Sequence, residues 1–252
     1  SISGSEITIS SSGVLTFVSA PDYETKTIYT ATVTVSDGEL NDTQDITINV
    51  TNVNDNSPVI SSSATFSAAE NQTSIGTVEA ADADGDDLTY SISGSEITIS
   101  SSGVLTFASA PDYETKTTYT ATVTVSDGTN STTQDIIVNV TNINDNSPVI
   151  NSSASFNVPE NQTAVGTVEA SDIDGDDLTY SISGSEITIS STGVLTFTSA
   201  PDYETKSTYT ATVTVSDGKF NDTSEITINI TNVNDISPVI SSSATFSAAE
   251  NQ

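Results

Sequence analysis

The 252-residue sequence predicts an all-β chain built from tandem seven-stranded Greek-key sandwiches. Three observations carry that prediction. The chain repeats itself at a period long enough for one whole small domain. Apolar and polar residues alternate with period two in the segments between turns. No segment shows helical spacing.

The repeat comes first. The string SISGSEITIS begins at Ser1, Ser91 and Ser181, a period of 90 residues. A unit of that length is too long for a solenoid turn and suits beads on a string. Three short polar segments, 52–57, 142–147 and 232–237, each run into a proline (Pro58, Pro148, Pro238) and read as linkers. This phase predicts the rear part of one repeat at 1–56, whole repeats at 57–146 and 147–236, and the start of a further repeat at 237–252. The expectation is that the chain is a window on a longer array.

Each strand then follows from alternation. In the second repeat, 65–68 carries an inward Phe66, and 76–80 follows it. Leu88, Tyr90 and Ile92 form one apolar row, Ile97 and Ile99 another, and Leu105 and Phe107 a third. Tyr119, Ala121, Val123 and Val125 alternate with Thr118, Thr120, Thr122 and Thr124, and Ile136, Val138 and Val140 close the repeat. Seven such strands, parted by Gly, Asp, Asn and Ser turns, suit an immunoglobulin-like sandwich with one dry and one wet face per sheet.

Composition narrows the function. There is no Cys, Met, Trp, His or Arg, and the only bases are Lys26, Lys116, Lys206 and Lys219. Thin secreted sandwiches without disulfides need another staple, and metal is the natural one. Thirty-four acids against four bases leave a net charge of −30, which opposes compaction unless it is neutralised. Nucleic acid is excluded as a partner because nothing could neutralise its phosphates. Nucleophilic triads are excluded by the lack of His and Cys. No run approaches the ~18 apolar residues of a membrane span.

The acids fall at turns and linkers, in short pairs. In the second repeat these are Glu70 (AENQ), Asp82 and Asp84 (ADADGDD), Asp112 and Glu114 (PDYE), Asp127 (SDG), and Asp145 with Asn142 and Asn144 (NINDN). Carboxylates two apart on extended chain point to one side, and paired without a base they repel. A hard divalent cation that takes six to eight oxygens would relieve them. An EF-hand does not fit: Gly85 is fourth from Asp82 rather than sixth, and Ser93 stands where the twelfth-position Glu should be.

Taken in order, the Glu motif (PEN at 159–161, AEN in the second repeat), the DAD pair, DYE, SDG and a linker close to DxNDNxP resemble the cadherin repeat. The resemblance covers the whole chain and implies calcium held between consecutive domains. At the junction of the second and third repeats it implies ligands Glu70, Asp112, Glu114, Asn142, Asn144, Asp145, Asp172, Asp174 and Asp217. At the first junction it implies Asp22, Glu24, Asn52, Asn54, Asp55, Asp82, Asp84 and Asp127. At the third it implies Glu160, Asp202, Glu204, Asn232, Asn234 and Asp235. Three departures stand out: Asn at 52, 142 and 232 where the family has Asp, Ile236 in place of the Asn at 56 and 146, and a short route from ADADGDD to Tyr90. The last leaves the roles of Asp86, Asp87, Asp176 and Asp177 open.

The resulting expectation is an extracellular or cell-surface, calcium-stiffened array: a stalk or fibre segment of a large adhesin or matrix protein, bacterial in the look of its uniform repeats. Its expected partners are calcium, neighbouring repeats, and like chains or a polysaccharide or cell-surface ligand. The alternatives are a carbohydrate-binding or homophilic adhesion module, or a non-catalytic spacer in a secreted enzyme. Outward threonine rows (Thr30, Thr32, Thr34) read as ordinary wet strand faces, and the Asn-x-Ser/Thr sequons at Asn41, Asn71, Asn139 and Asn161 follow from composition.

Overall fold

A computed structural model of the chain describes residues 1–242, 244–248 and 250. Among these every regular element is a strand, and no helix is long and apolar enough to cross a membrane. The chain divides into two compact units, Ser1–Asn142 and Ile143–Gln252.

The first unit opens with β1 (Ile7–Ile9), β2 (Leu15–Phe17), β3 (Ile28–Ser36) and β4 (Asn41–Asn49), paired as two antiparallel hairpins. The second repeat follows with β5 (Val59–Ile60), β6 (Thr65–Ala69), β7 (Ser74–Thr77), β8 (Ala80–Ala81), β9 (Thr89–Ile92), β10 (Ile97–Ile99), β11 (Val104–Phe107), β12 (Thr118–Ser126) and β13 (Ser131–Thr141). One sheet has the order β6-β13-β12-β9 and the other β10-β11-β7, with β5 and β8 paired beside them. Strands β5 and β6 are two halves of one broken strand, as are β7 and β8, which reconciles these nine pieces with a seven-strand sandwich. The β6–β13 pairing is parallel and the others antiparallel, as a chain that crosses between sheets requires.

The second unit repeats the plan with β14 (Val149–Ile150), β15 (Ser155–Pro159), β16 (Ala164–Thr167), β17 (Ala170–Ser171), β18 (Thr179–Ile182), β19 (Ile187–Ile189), β20 (Val194–Phe197), β21 (Thr208–Ser216) and β22 (Asn221–Thr231). Each core is the alternating set expected: Leu105, Val123, Val125, Ile136 and Val138 in one, Leu195, Val213, Val215, Ile226 and Ile228 in the other, all buried. The aromatic rings turn inward in matched edge-to-face pairs, Phe107 on Tyr119 and Phe197 on Tyr209, with centroids 4.9 and 4.8 Å apart. Lys116 lies over Tyr119 and pairs with Glu96, and Lys206 does the same with Tyr209 and Glu186.

Two differences from the expected elements have local causes. The segment read as one strand at 76–80 is split, because its first part pairs with β11, with the Val78 amide still donating to the Gly103 carbonyl at 2.8 Å, whereas Ala80–Ala81 pairs with Val59–Ile60. The pair Val59–Ile60 forms a strand that alternation over two residues could not announce. The stretch 237–252 includes Ser243, Ala249, Asn251 and Gln252, which lie outside the described residues; its described part carries no strand, and Val239, Ile240 and Phe246 are exposed.

Candidate metal centres

The DxDG loops are shaped by their own first aspartate. In the first unit Asp82 Oδ1 accepts the Asp84 amide at 2.9 Å, and Gly85 turns the chain at φ 81°, a local side-chain turn of the Asx kind. The SDG turn works likewise: Asp127 Oδ1 accepts the Thr129 and Asn130 amides at 2.7 and 2.6 Å. Each turn spends one carboxylate oxygen. The other, Oδ2 of Asp82 and of Asp127, is enclosed with no hydrogen-bond partner.

Linker 52–57 is tied to this end of the second repeat. Asp84 Oδ2 accepts the amides of Asp55 and Asn56 at 3.1 and 2.8 Å, and its Oδ1 accepts the Asn56 side-chain amide at 2.8 Å. Asn52 donates to the Asp84 carbonyl, and Asn54 to that of Asp127. From the preceding repeat comes Glu24. Carboxylate oxygens of Glu24, Asp55 and Asp84 all lie within 4.8 Å of one another, as do those of Asp82, Asp84 and Asp86. Asp22 is not in either group: its oxygens are taken by the Glu24 and Thr25 amides and the Thr25 hydroxyl.

The lower end of the second repeat presents Glu70, Asp112, Glu114 and Asn142. Glu70 follows β6 and is buried, with Oε2 accepting the Tyr113 amide at 2.7 Å, and Asn71 turns the chain at φ 62°. Glu70 and Glu114 bring carboxylate oxygens within 4.8 Å of each other. Asp112, like Asp22, caps its own turn through Thr115.

In the second unit the upper loops match. Asp174 accepts the Asp145 and Asn146 amides and the Asn146 side chain at 3.0, 2.8 and 2.8 Å. Asp172, Asp174 and Asp176 form a group within 4.8 Å. Enclosed atoms without a partner are Oδ2 of Asp172, Asp176 and Asp217, and Oδ1 of Asn144. At the lower end Glu160 is buried, with its oxygens accepting the Tyr203 and Val233 amides at 2.8 Å each. Glu160, Asp202 and Glu204 converge within 4.8 Å; Asn232 donates to Glu204, and Asn161 to Asp235. Asn234 lies exposed in the linker.

The charge state follows from this crowding. Burial first, and then the neighbouring carboxylates, hold the Asp86 and Asp176 carboxyls above the ordinary aspartate range. The Asn56 side chain and amide hold Asp84 below it. For Asp127 and Asp217, burial raises the value, but the turn amides at Asn130 and Thr129, and at Phe220 and Lys219, outweigh it and leave both low. Glu24 is lowered by its own amide but raised more by burial and by Asp22 and Asp84, ending high.

The sign of the pH dependence is therefore mixed. In the metal-free chain, the raised Asp86 and Asp176 take up protons in the folded state before the unfolded state does, so stability rises as pH falls toward and through their values. The lowered Asp84, Asp127 and Asp217 contribute stability that is present above the unfolded value of 3.8 and lost as pH falls through their folded values. Thermal melts of metal-stripped protein should thus rise from pH 7 into mild acid and fall below about 3.8. A midpoint that only declines from pH 7 would count against this assignment.

The donor set fits a hard divalent cation. It consists of carboxylate and amide oxygens, and several are enclosed acceptors lacking any donor, an arrangement that costs stability unless a cation completes it. Asp86 and Asp176, whose roles the sequence left open, stand in these groups; Asn56 and Asn146, not singled out as ligands, orient the central aspartate.

The bacterial Ig domain profile matches residues 54–141 and 144–231. The chain belongs to the bacterial Ig domain family. Its tandem Ig domains share their fold with cadherin repeats: extracellular cadherin domains 3–6 of protocadherin gamma B2 superpose with a TM-score of 0.76 at 23% identity, covering 92% of this chain and 68% of that one. Cadherin EGF LAG seven-pass G-type receptor 2 of Mus musculus is 33% identical over 263 aligned positions, covering 92% of this chain and 9% of the receptor. Chitinase A of Pseudoalteromonas piscicida is 34% identical over 143 positions, covering 56% of this chain and 17% of the chitinase. The chain thus spans only a small part of the receptor and of the chitinase, and the cadherin resemblance carried by the sequence motifs holds in fold and in sequence similarity.

Proposed function

We propose that this chain is a calcium-rigidified segment of an extracellular or cell-surface repeat array, serving as the stalk or a fibre segment of a large adhesin or matrix protein, with whole repeats at 57–146 and 147–236. The observation that carries the reading is the convergence of Glu24, Asp55 and Asp84. These three carboxylates come from a preceding repeat, a linker and a following repeat, so whatever neutralises them ties all three together. When bound, calcium supplies the positive charge and the oxygen-ligand positions that such a set satisfies. The chain's own residues do the rest: Asp84 fastens the linker amides, and the DxDG and SDG turns aim their second oxygens inward. Without a cation the same groups repel, and the linker is free to bend. No catalytic role is part of this reading.

A second reading, a non-catalytic spacer in a secreted enzyme, is favoured by the similarity to part of a chitinase. It uses the same metal-stiffened geometry and differs only in what the array carries.

Small-angle X-ray scattering of the whole chain in chelator and in millimolar calcium tests the stiffening. Calcium should increase the maximum dimension and narrow the distance distribution. Superimposable curves would sink the proposal.

A further inference from the structure

The repeats agree at most positions, yet the residues just after the SDG turn do not: Glu-Leu-Asn-Asp at 39–42, Thr-Asn-Ser-Thr at 129–132 and Lys-Phe-Asn-Asp at 219–222. In both whole repeats this variable loop rests on the linker that precedes its own repeat. In the second repeat the contact is neutral: the Asn130 side-chain amide donates to Asn54 Oδ1 at 3.1 Å and to the Asn56 carbonyl at 3.0 Å. In the third repeat Phe220 replaces that asparagine, and the contact is a charge: the Lys219 ammonium donates to the Asn144 carbonyl at 2.6 Å.

Lys219 differs from the other three lysines. Lys26, Lys116 and Lys206 are each ion-paired with a glutamate twenty residues earlier, Glu6, Glu96 and Glu186. Lys219 has no carboxylate within 4.0 Å among the described residues. It is held instead by the carbonyl and by the face of Phe220, 4.7 Å from the ring centroid. Its anchor, Asn144, is also the residue whose Oδ1 is enclosed without a partner, and Asp217, which accepts the Lys219 backbone amide, keeps an enclosed Oδ2. A positive charge is thus fixed on the rim of one candidate calcium centre and missing from its counterpart.

We propose that Lys219 is a tethered counter-ion that lowers the calcium affinity of the third repeat's linker centre, so that this centre fills at a higher calcium concentration than the one preceding the second repeat. The inference rests on the calcium reading above and adds grading to it: near-identical repeats tuned to stiffen in sequence. As a general scale, a unit charge one Debye length (~8 Å at physiological salt) from a divalent ion near a protein surface changes its affinity by roughly three- to tenfold. The same charge offsets repulsion among Asp172, Asp174 and Asp217 when no metal is bound. Its removal should therefore weaken the metal-free fold and strengthen the metal complex, two effects of opposite sign that a purely structural lysine would not produce.

The test is calcium titration of the full chain against a chromophoric chelator, resolving the stepwise constants, for wild type, Lys219→Thr, Lys219→Arg and Thr129→Lys. Lys219→Thr should tighten the weakest binding class about three- to tenfold, with the gain shrinking as salt is raised, and should lower the melting temperature in chelator. Lys219→Arg should keep wild-type constants, and Thr129→Lys should weaken a tighter class by a similar factor. Unchanged constants in both Lys219→Thr and Thr129→Lys, or an arginine variant that behaves like the threonine one, would overturn the tuning role while leaving calcium binding intact. A wild-type chain that takes up no calcium at all would instead overturn the reading on which it rests.

Discussion

Millimolar calcium should raise the melting temperature of the chelated chain by several degrees or more, and the isosteric change Asp127→Asn should abolish part of that gain, costing more in calcium than in chelator. Extracellular calcium modules bind with dissociation constants of about 10⁻⁴ to 10⁻³ M. At ~10 mM calcium each filled site then contributes roughly 1.4 to 2.7 kcal/mol, and a domain of ~90 residues gains about 4–8 °C per kcal/mol. Asp127 suits the test because its two oxygens have separate jobs. Oδ1 accepts the Thr129 and Asn130 amides and shapes the turn; Oδ2 is enclosed without a partner. Asparagine keeps the first function through a weaker acceptor and replaces the second oxygen with an amide that cannot ligate a cation. The variant thus separates ligation from folding, since its cost in calcium should exceed its cost in chelator. Melting curves that coincide in chelator and calcium for the wild-type chain would remove the basis for a metal role.

A larger loss is expected from Gly193→Ala. Gly193 sits at φ 80°, and a Cβ there would stand 2.2 Å from the Val168 carbonyl oxygen and 3.3 Å from a Tyr180 ring carbon. The obstacle cannot step aside, because the Val168 amide is itself bonded to the Gly193 carbonyl at 2.9 Å and Val168 is buried in the core. Backbone strain of about 1–3 kcal/mol adds to an overpacking cost of about 1–3 kcal/mol, for a total of roughly 3 kcal/mol or more. Gly184, in the same repeat at φ 87°, has nothing within 4 Å of its would-be Cβ. Gly184→Ala should therefore cost only about 1 kcal/mol, the penalty of the backbone conformation alone. Denaturant unfolding in chelator distinguishes the two, and equal costs would show that the close approach to Val168 does not matter.

Much of the strand plan was legible because alternation reports which face of a strand is dry. The rows through Val123, Val125, Ile136 and Val138 are inward as that pattern requires. The change of partner between β7 and β8 and the parallel pairing of β6 with β13 were not legible, since both depend on which distant strands are there to pair. At the candidate centres the acidic motifs pointed to the loops, but near-identity of the repeats hid which oxygens matter. The spatial arrangement shows their surroundings: Asp22 and Asp112 accept hydrogen bonds within their own turns, Asp202 does so while standing in a carboxylate group with Glu160 and Glu204, and Asp86 and Asp176 stand within such groups.

By itself the sequence determined the architecture class, the repeat period, the alternating cores and the clustering of acids at turns, because these follow from local periodicity and from the chemistry of residue types. It did not determine the state of a given segment. Residues 57–72 recur letter for letter at 237–252. In the first place Val59–Ile60 pairs with β8 and Thr65–Ala69 with β13, and Phe66 packs on a core. In the second, the described residues carry no strand. A strand's hydrogen bonds and its buried face are supplied by other strands, so only the tertiary structure decides whether a β-forming sequence becomes one.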